Sequence, residues 1–344
     1  MKRHVCMIRL LLGLLCCALT PAAASADRVR VVVAGSERST NAQFVRDIAK
    51  YVARPADIEF DVRHAAGSAD ALVRLREGGG QQQFAVLQAD VAEAYLGAAA
   101  RGNIEAGQLL APVRVVAPLQ EDEIYFIVRS DSPLNFVHEI ENTRINVGPL
   151  HADTALTVAT LYRLMFNAAL PDQQTSFHSH QNALVKLTEQ TVDVVALVAP
   201  QPARILADMK SEARRFVKLL KFDPKHAGTS GALKVYSPRI IPAAIYPNLL
   251  DEDLPVLAVK IYLVSHGRND ALQSRFANAW CQNLERLRAE GHPGLSALEL
   301  ALPPLATGWH YSRPFERELS ACVEGKRPPA ESCSQEDRAL GLCG

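Results

Sequence analysis

The chain has 344 residues, and its 37 lysine and arginine residues are balanced by 37 aspartate and glutamate residues. This balance excludes the strongly basic composition typical of proteins that bind nucleic acid or an acidic membrane surface, so no nucleic-acid partner is predicted. A chain of this length exceeds what one hydrophobic core usually holds, and two lobes are therefore expected.

The N-terminal segment has the pattern of a secretory signal peptide. Three basic residues precede an apolar run over residues 10–19, and small residues occupy positions 22–26. A membrane-spanning helix needs about 20 apolar residues, roughly twice the length of this run. We therefore predict a signal peptide over residues 1–26, with cleavage before Asp27 and a periplasmic location for the mature chain. Lipidation at Cys16 is the alternative.

The strands and helices predicted after the cleavage site alternate, which is typical of a parallel sheet covered by helices. The predicted strands are 28–34, 59–64, 84–88 and 113–119, and the predicted helices are 41–52, 68–77 and 90–100. Three successive strand–helix units predict a doubly wound α/β lobe.

The same pattern then starts again. It predicts strands over 124–128, 144–147 and 192–198, and helices over 154–168, 182–190 and 201–210. Proline, glycine and serine become frequent between residues 224 and 231, which predicts that the chain crosses back to the first lobe there. A strand over 256–265 and a helix over 270–288 follow.

The predicted domain organisation follows from these two blocks. The first lobe comprises residues 27–120 and 231–320, the second lobe comprises residues 121–230, and an irregular cysteine-containing tail occupies residues 321–344. Ligands of such sheets bind at the carboxyl ends of strands, near helix N-termini, so a ligand cleft is predicted between the lobes. Crossings near Gln120 and near residues 228–231 predict that the lobes close around a solute.

Four of the seven cysteines follow the cleavage site, and all of them lie in the last quarter of the chain: Cys281, Cys322, Cys333 and Cys343. An even number of cysteines in an exported chain predicts two disulfides. We favour pairing Cys281 with Cys322 and Cys333 with Cys343, because the second pair closes a short loop. Four cysteines allow three arrangements.

Motifs that would indicate catalysis or a cofactor are missing from the sequence. The chain has no phosphate-binding glycine loop, no nucleophile elbow, no paired-cysteine motif and no zinc-protease motif. The histidines of His178-Ser179-His180 would share one face of a strand, but a third metal ligand is not near in sequence. The acidic run 121–123 fits a solvated loop better than acid–base catalysis. No catalytic residue, metal or cofactor is therefore predicted.

Several segments taken together resemble the TAXI-type receptors of TRAP transporters. The matching segments are Val33–Thr40, Ala66–Ser68, Leu72, Phe84–Asp90, Ile127–Ser132, Ile145–Gly148 and Thr154. The resemblance extends to about Tyr311. It implies a periplasmic binding protein-like fold, a small carboxylate ligand such as glutamate, and delivery of that solute to the membrane permease subunits of a TRAP transporter.

The chain departs from that family at two loops. The first loop of that family usually has several glycines and a tyrosine pair, whereas this chain has Glu37, Arg38 and Asn41-Ala42 there. His151-Ala152-Asp153 replaces a glycine-serine-glycine segment. The implied fold survives these changes, whereas the family's carboxylate ligands do not carry over intact.

Nine residues are the candidate ligand-binding residues: Gly35, Arg38, Thr40, Ser68, Gln88, Asp90, Asp122, Asp153 and Thr154. Helix N-termini after Thr40, Gly67 and Ala152 are expected to converge on the cleft, where they favour an anion. Asp153 facing the cleft would favour a solute with an amino group instead. Its alternative role is to cap the helix that begins at Thr154.

The sequence thus predicts a solute receptor of a secondary transporter. A sensor with the same fold, which reports the bound solute to a signalling partner, is the alternative, because a fold does not fix a function. An enzyme is the least favoured class.

Overall fold

The computed structural model describes residues 26–326. The predicted cleavage of the signal peptide and the pairing of Cys333 with Cys343 lie outside these residues. Within residues 26–326, no helix is long and apolar enough to cross a membrane.

The first lobe begins with strand–helix units, as predicted. In chain order they are β1 (Asp27–Ala34), α1 (Thr40–Ile48), β2 (Ile58–Ala65), α2 (Ser68–Arg76), β3 (Gln83–Gln88), α3 (Asp90–Ala100) and α4 (Ile104–Leu110). The strands β1, β2 and β3 run parallel, with β1 in the middle. A π-helical turn and a 3₁₀ turn extend α1 as far as Ala56.

A single long strand, β4 (Arg114–Arg129), carries the chain into the second lobe. The sequence pattern predicts two strands here, separated by a polar loop at residues 121–123. The loop prediction is wrong, because Glu121, Asp122 and Glu123 pair with Lys260, Val259 and Ala258 of the returning strand. The acidic run therefore lies within the sheet, where the chain passes between the lobes.

The second lobe contains shorter elements. They are β5 (Ile145–Asn146), α5 (Asp153–Phe166), β6 (Thr175–Ser176), α6 (His180–Thr188), β7 (Val194–Ala199), α7 (Arg204–Ala207), β8 (Val217–Leu219) and β9 (Ser237–Ile241). The returning strand β10 (Leu254–His266) leads to α8 (Asp270–Glu290) and α9 (Arg313–Lys326).

One mixed sheet runs through both lobes. Its strand order is β2-β1-β3-β10-β4-β7-β5-β6, with β8 beside β4 and β9 beside β10. The strand β10 is antiparallel to both β3 and β4. The two strands that cross between the lobes, β4 and β10, therefore lie at the centre of the sheet.

Each lobe buries an apolar core on both faces of the sheet. In the first lobe, α1 and α8 cover a core that includes Phe44 and Trp280, and α2 and α3 cover one that includes Leu72. In the second lobe, α5 covers a core around Leu161, and α6 and α7 cover one around Leu187.

The chain returns to the first lobe later than the sequence predicts. Tyr236, Leu254 and Val256 still pack in the cores of the second lobe, whereas Ile261 and Leu263 pack in a core of the first. The return therefore lies within β10, and the glycine-rich segment 228–231 is an internal turn of the second lobe.

The segment from Cys322 is helical as far as Lys326, whereas the sequence predicts an irregular tail. Phe315 and Leu319, one helical turn apart, bury their side chains against α8. Cys322 forms a disulfide with Cys281 of α8, with 6.3 Å between the two Cα atoms. The bond between Cys281 and Cys322 is one of the two disulfides that the sequence analysis favours.

The segment around His178 does not form a strand. The backbone N–H of His178 donates to Asn146 Oδ1, and Ser179 caps α6, whose first residue is His180. Among residues 26–326, no group of three or more histidine, cysteine or acidic side chains could hold a metal ion.

Candidate ligand site between the lobes

The lobes meet where α2 and α3 of the first lobe contact α5 of the second. The polar residues at this junction are defined here as the junction cluster: Ser68, Gln88, Asp90, Asp122, Asp153, Thr157 and Tyr236. Five of them are among the predicted ligand-binding residues, and the structure brings those five together from β3, β4 and the N-termini of α2, α3 and α5.

Asp90 is the buried centre of the junction cluster. Its side chain has no exposed surface. The hydroxyls of Thr157 and Tyr236 donate to its Oδ2 atom over 2.7 and 3.0 Å. Its Oδ1 atom is buried and has no hydrogen-bond partner among the residues that the structure describes. Burial raises the pKa of Asp90 to about 7, since the charged form loses its hydration.

Asp153 links the two lobes. Its Oδ1 atom accepts a hydrogen bond of 2.5 Å from the backbone N–H of Ser68, the first residue of α2. A carboxylate of the second lobe therefore occupies the anion position at the N-terminus of a helix in the first lobe. Burial raises the pKa of Asp153.

The predicted capping role of Asp153 in its own helix is wrong. The N-cap of α5 is Ala152, and no side chain makes a capping hydrogen bond there. Asp153 is the first residue of α5, and its side chain points to α2 instead.

The close contact beside Asp153 depends on a glycine. A Cβ atom at Gly67 would overlap the carbonyl oxygen of His151 and would lie 3.1 Å from both the N and Oδ1 atoms of Asp153. Only a residue without a side chain allows the two lobes to approach this closely. Within the first lobe, the hydroxyl oxygen of Ser68 accepts a hydrogen bond from the backbone N–H of Gln88 over 2.8 Å.

Asp122 of β4 is also buried. The side-chain amide of Gln120 donates to its Oδ1 atom over 2.9 Å. Burial, together with the negative charges of Glu123 and Asp153, raises the pKa of Asp122 to about 8. The charge of Asp153 also raises the pKa of Asp90. Three carboxylates thus share this interior, and their hydrogen-bond donors are neutral groups.

The other predicted ligand residues lie outside the junction cluster. Gly35 has a φ of 99° and donates its N–H to Ala65 in its own lobe. The side chain of Arg38 is exposed. Thr40 begins α1, which is capped by Ser39. Thr154 is buried in the first turn of α5, one turn before Thr157.

Sequence reasoning missed Thr157, Tyr236 and an ion pair between the lobes. Arg163 of α5 donates to Glu93 of α3 over 2.9 Å, and both side chains are partly buried. Thr154, Thr157 and Thr160 repeat every three residues on an otherwise apolar helix, and this pattern indicates a polar stripe on its buried face. Tyr236 comes from a distant segment and leaves no comparable signal.

A sequence profile of the NMT1-like family matches residues 42–277. The chain belongs to the NMT1-like family. Its predicted fold class is confirmed: it is an α/β protein of the periplasmic binding protein type, with a cleft between two lobes. Comparison with curated proteins gives no match.

Solved structures with a similar fold are distant in sequence. XAC2383 from Xanthomonas citri, bound to ATP, is 14% identical with a TM-score of 0.45 over 87% of this chain and 96% of its own. The periplasmic binding protein BugD is 12% identical with a TM-score of 0.47 over 87% and 95%. A TctC solute-binding protein from Polaromonas is 12% identical with a TM-score of 0.42 over 87% and 99%. These values describe a likeness of fold alone.

Proposed function

We propose that the protein is a periplasmic receptor that captures a small solute between its lobes and delivers it to a TRAP-type secondary transporter. The resemblance of its segments to TAXI-type receptors supports the transporter class. The observation that carries the binding role is the convergence of Ser68, Gln88, Asp90, Asp122 and Asp153 at the junction of the lobes. A receptor needs a cleft that closes on its solute and no catalytic group.

The charges of the junction cluster favour a solute that carries an amino group beside its carboxylate. A buried carboxylate is costly unless it is paired, and Asp90 keeps one oxygen without a partner among the described residues. An ammonium group is the natural partner for that oxygen. A second carboxylate on the solute would meet Asp122 and Asp153 instead, and like charges repel.

Replacing Asp153 by glycine tests this preference. The variant frees the N-terminus of α2 for an anion and removes one negative charge, so its affinity for small dicarboxylates should rise at least tenfold relative to amino acids. Titration calorimetry with a panel of dicarboxylates and their amino-acid analogues measures the change. Native mass spectrometry of protein purified from its own periplasm identifies the solute directly.

The matched control is Asp208→Asn, because Asp208 is an exposed residue of the second lobe that pairs with Arg204. Its binding profile should equal that of the wild type. Identical profiles for the wild type and Asp153→Gly would place Asp153 outside the ligand site. A protein that binds no member of the panel and carries no solute from the periplasm would refute the receptor function.

A further inference from the structure

A small cavity of the first lobe lies at the opposite end of β3 from the junction cluster. Its volume is about 220 Å³, below the roughly 300–1,000 Å³ of sites for drug-sized ligands, so it has room for a small ion. The strand β3 begins at Gln83 in the cavity wall and ends at Gln88 in the junction cluster, about 17 Å away at a rise of about 3.3 Å per residue. The lining residues all belong to β1, β2, β3 and the turn after α2, so the cavity is separate from the cleft.

The charged side chains in the wall of this cavity leave an excess of positive charge. They are three arginines and one acid, Asp61, so two positive charges are left over. Arg63 pairs with Asp61 over 3.0 Å. The side chains of Arg28 and Arg30 are exposed and form no hydrogen bond or ion pair within residues 26–326. These two guanidinium groups have no partner to lose when they turn towards an anion, and guanidinium groups bind oxyanions through paired hydrogen bonds.

The register of the sheet places these side chains side by side. Arg30 pairs with Asp61 of β2 on one side and with Gln83 of β3 on the other. Directly paired residues of neighbouring strands point to the same face of a sheet, and so do residues two positions apart on one strand. Arg28, Arg30 and Gln83 therefore share one face. The same face carries Val32, which packs in the core beneath α2, so the cavity lies on this face beside the turn that follows α2.

Gln83 adds a hydrogen-bond acceptor that has no partner. Its side chain is 2% exposed, and its Nε2 atom donates to the carbonyl oxygen of Leu75 over 2.9 Å. Its Oε1 atom is buried and has no hydrogen-bond partner in the described part of the chain. A Cβ atom at Gly78 would lie 1.5 Å from Nε2, so this side-chain position depends on a glycine. Because Nε2 is the atom that donates to Leu75, Oε1 is the atom left over, and a group that pairs with it must donate a proton.

We propose that this cavity binds inorganic phosphate, with Arg28 and Arg30 contacting its charged oxygen atoms and its O–H group donating to Oε1 of Gln83. The two negative charges of hydrogen phosphate match the two positive charges that the cavity leaves over. Sulfate has the same tetrahedral shape and charge but carries no proton, so two acceptors would face each other at Gln83. A buried polar group left without a partner is costly, and the cavity therefore favours phosphate over sulfate. The phosphodiester of a phospholipid lacks this proton as well.

The test compares phosphate with sulfate on the mature full chain, dialysed against a buffer that contains neither anion. Calorimetry should show that phosphate binds at millimolar concentration or below and at least tenfold more tightly than sulfate. Arg30→Met should weaken the binding of phosphate at least tenfold. The matched control is Arg54→Met, because Arg54 is an exposed arginine of the first lobe outside the cavity, and it should change this affinity less than twofold.

Gln83→Leu tests the role of the buried acceptor. It should remove the preference for phosphate over sulfate, whereas Arg30→Met should weaken the binding of both anions alike. A purely structural role of Gln83 would not change the ratio of the two affinities. Circular dichroism checks that Gln83→Leu is folded, and Arg30→Met tests the site independently.

Several outcomes would overturn the proposal. The wild type could fail to bind phosphate at millimolar concentration, or it could bind sulfate as tightly. Arg30→Met and Gln83→Leu could both leave phosphate binding intact, which would place phosphate elsewhere on the chain. Vesicles of phosphatidylglycerol could retain the wild type but not Arg30→Met while free phosphate does not bind, which would assign the cavity to lipid head groups. Phosphate binding that depends on Arg30 would support this proposal even if the receptor function proposed above were refuted.

Discussion

At the scale of single residues, a carboxylate of the chain itself stands where an anion would bind. Asp153 accepts from the N–H of Ser68, which lies 85 positions earlier in the sequence. The sequence places Asp153 at the start of α5, because the periodicity of that helix is local. It cannot reveal the partner in α2, because that contact depends on how the lobes meet.

Asp90→Asn should reduce the pH dependence of stability. Burial raises the pKa of Asp90 from 3.8 to about 7, so between these values the folded state holds a proton that the unfolded state has released. The free energy of unfolding therefore falls as the pH rises through this window. Asparagine is neutral throughout and removes this contribution, which is on the order of a few kcal/mol at about 1.4 kcal/mol per pKa unit.

Urea unfolding at several pH values within this window measures the effect of Asp90→Asn. Asp122 and Glu123, whose pKa values burial also raises, leave the variant with a smaller slope of the same sign. The control Asp208→Asn should keep the slope of the wild type. An equal slope in Asp90→Asn would mean that Asp90 is ionised at the same pH in the folded and unfolded states.

At the scale of elements, the sequence predicts those whose signal is local. The helix α3 runs over Asp90–Ala100 as predicted, and β3 differs from its prediction by one residue. The edge strand β9 was missed, because Pro238 weakens a strand pattern and is tolerated only at an edge. The helix α7 is shorter than predicted and begins at Arg204, after Pro202.

A disulfide joins the helix α9 to α8. The disulfide between Cys281 and Cys322 spans 41 positions. Closing a loop of this size restricts the unfolded chain, and the double variant Cys281→Ala and Cys322→Ala should lower the free energy of unfolding by about 2–4 kcal/mol. Urea unfolding without reductant measures this loss. The control Asp208→Asn retains the crosslink and should keep the free energy of unfolding of the wild type. Four free thiols in the denatured wild type would contradict the prediction.

At the scale of the whole molecule, composition and alternation predict two α/β lobes and a cleft. They also place the first crossing near Gln120, where β4 leaves the core that contains Leu119 and enters the one that contains Ile124. They misplace the return, because glycine and proline mark turns within a lobe as readily as crossings between lobes. The continuous sheet follows from pairing between strands that are distant in sequence, and no local pattern encodes it.

Gly67→Ala should hold the lobes apart. The backbone of Gly67 is extended, with a φ of −167°, so alanine adopts it without strain. The added Cβ atom, however, would overlap the carbonyl oxygen of His151 in the other lobe. The variant should therefore bind the native solute at least tenfold more weakly, and small-angle scattering should show a larger radius of gyration than that of the wild type.

The control Gly107→Ala places its Cβ atom 3.4 Å from that of Ala99 within the first lobe, which is an ordinary contact. It should change neither the affinity nor the radius of gyration. An unchanged radius and affinity in Gly67→Ala would mean that the lobes bind solute without the contact between Gly67 and His151.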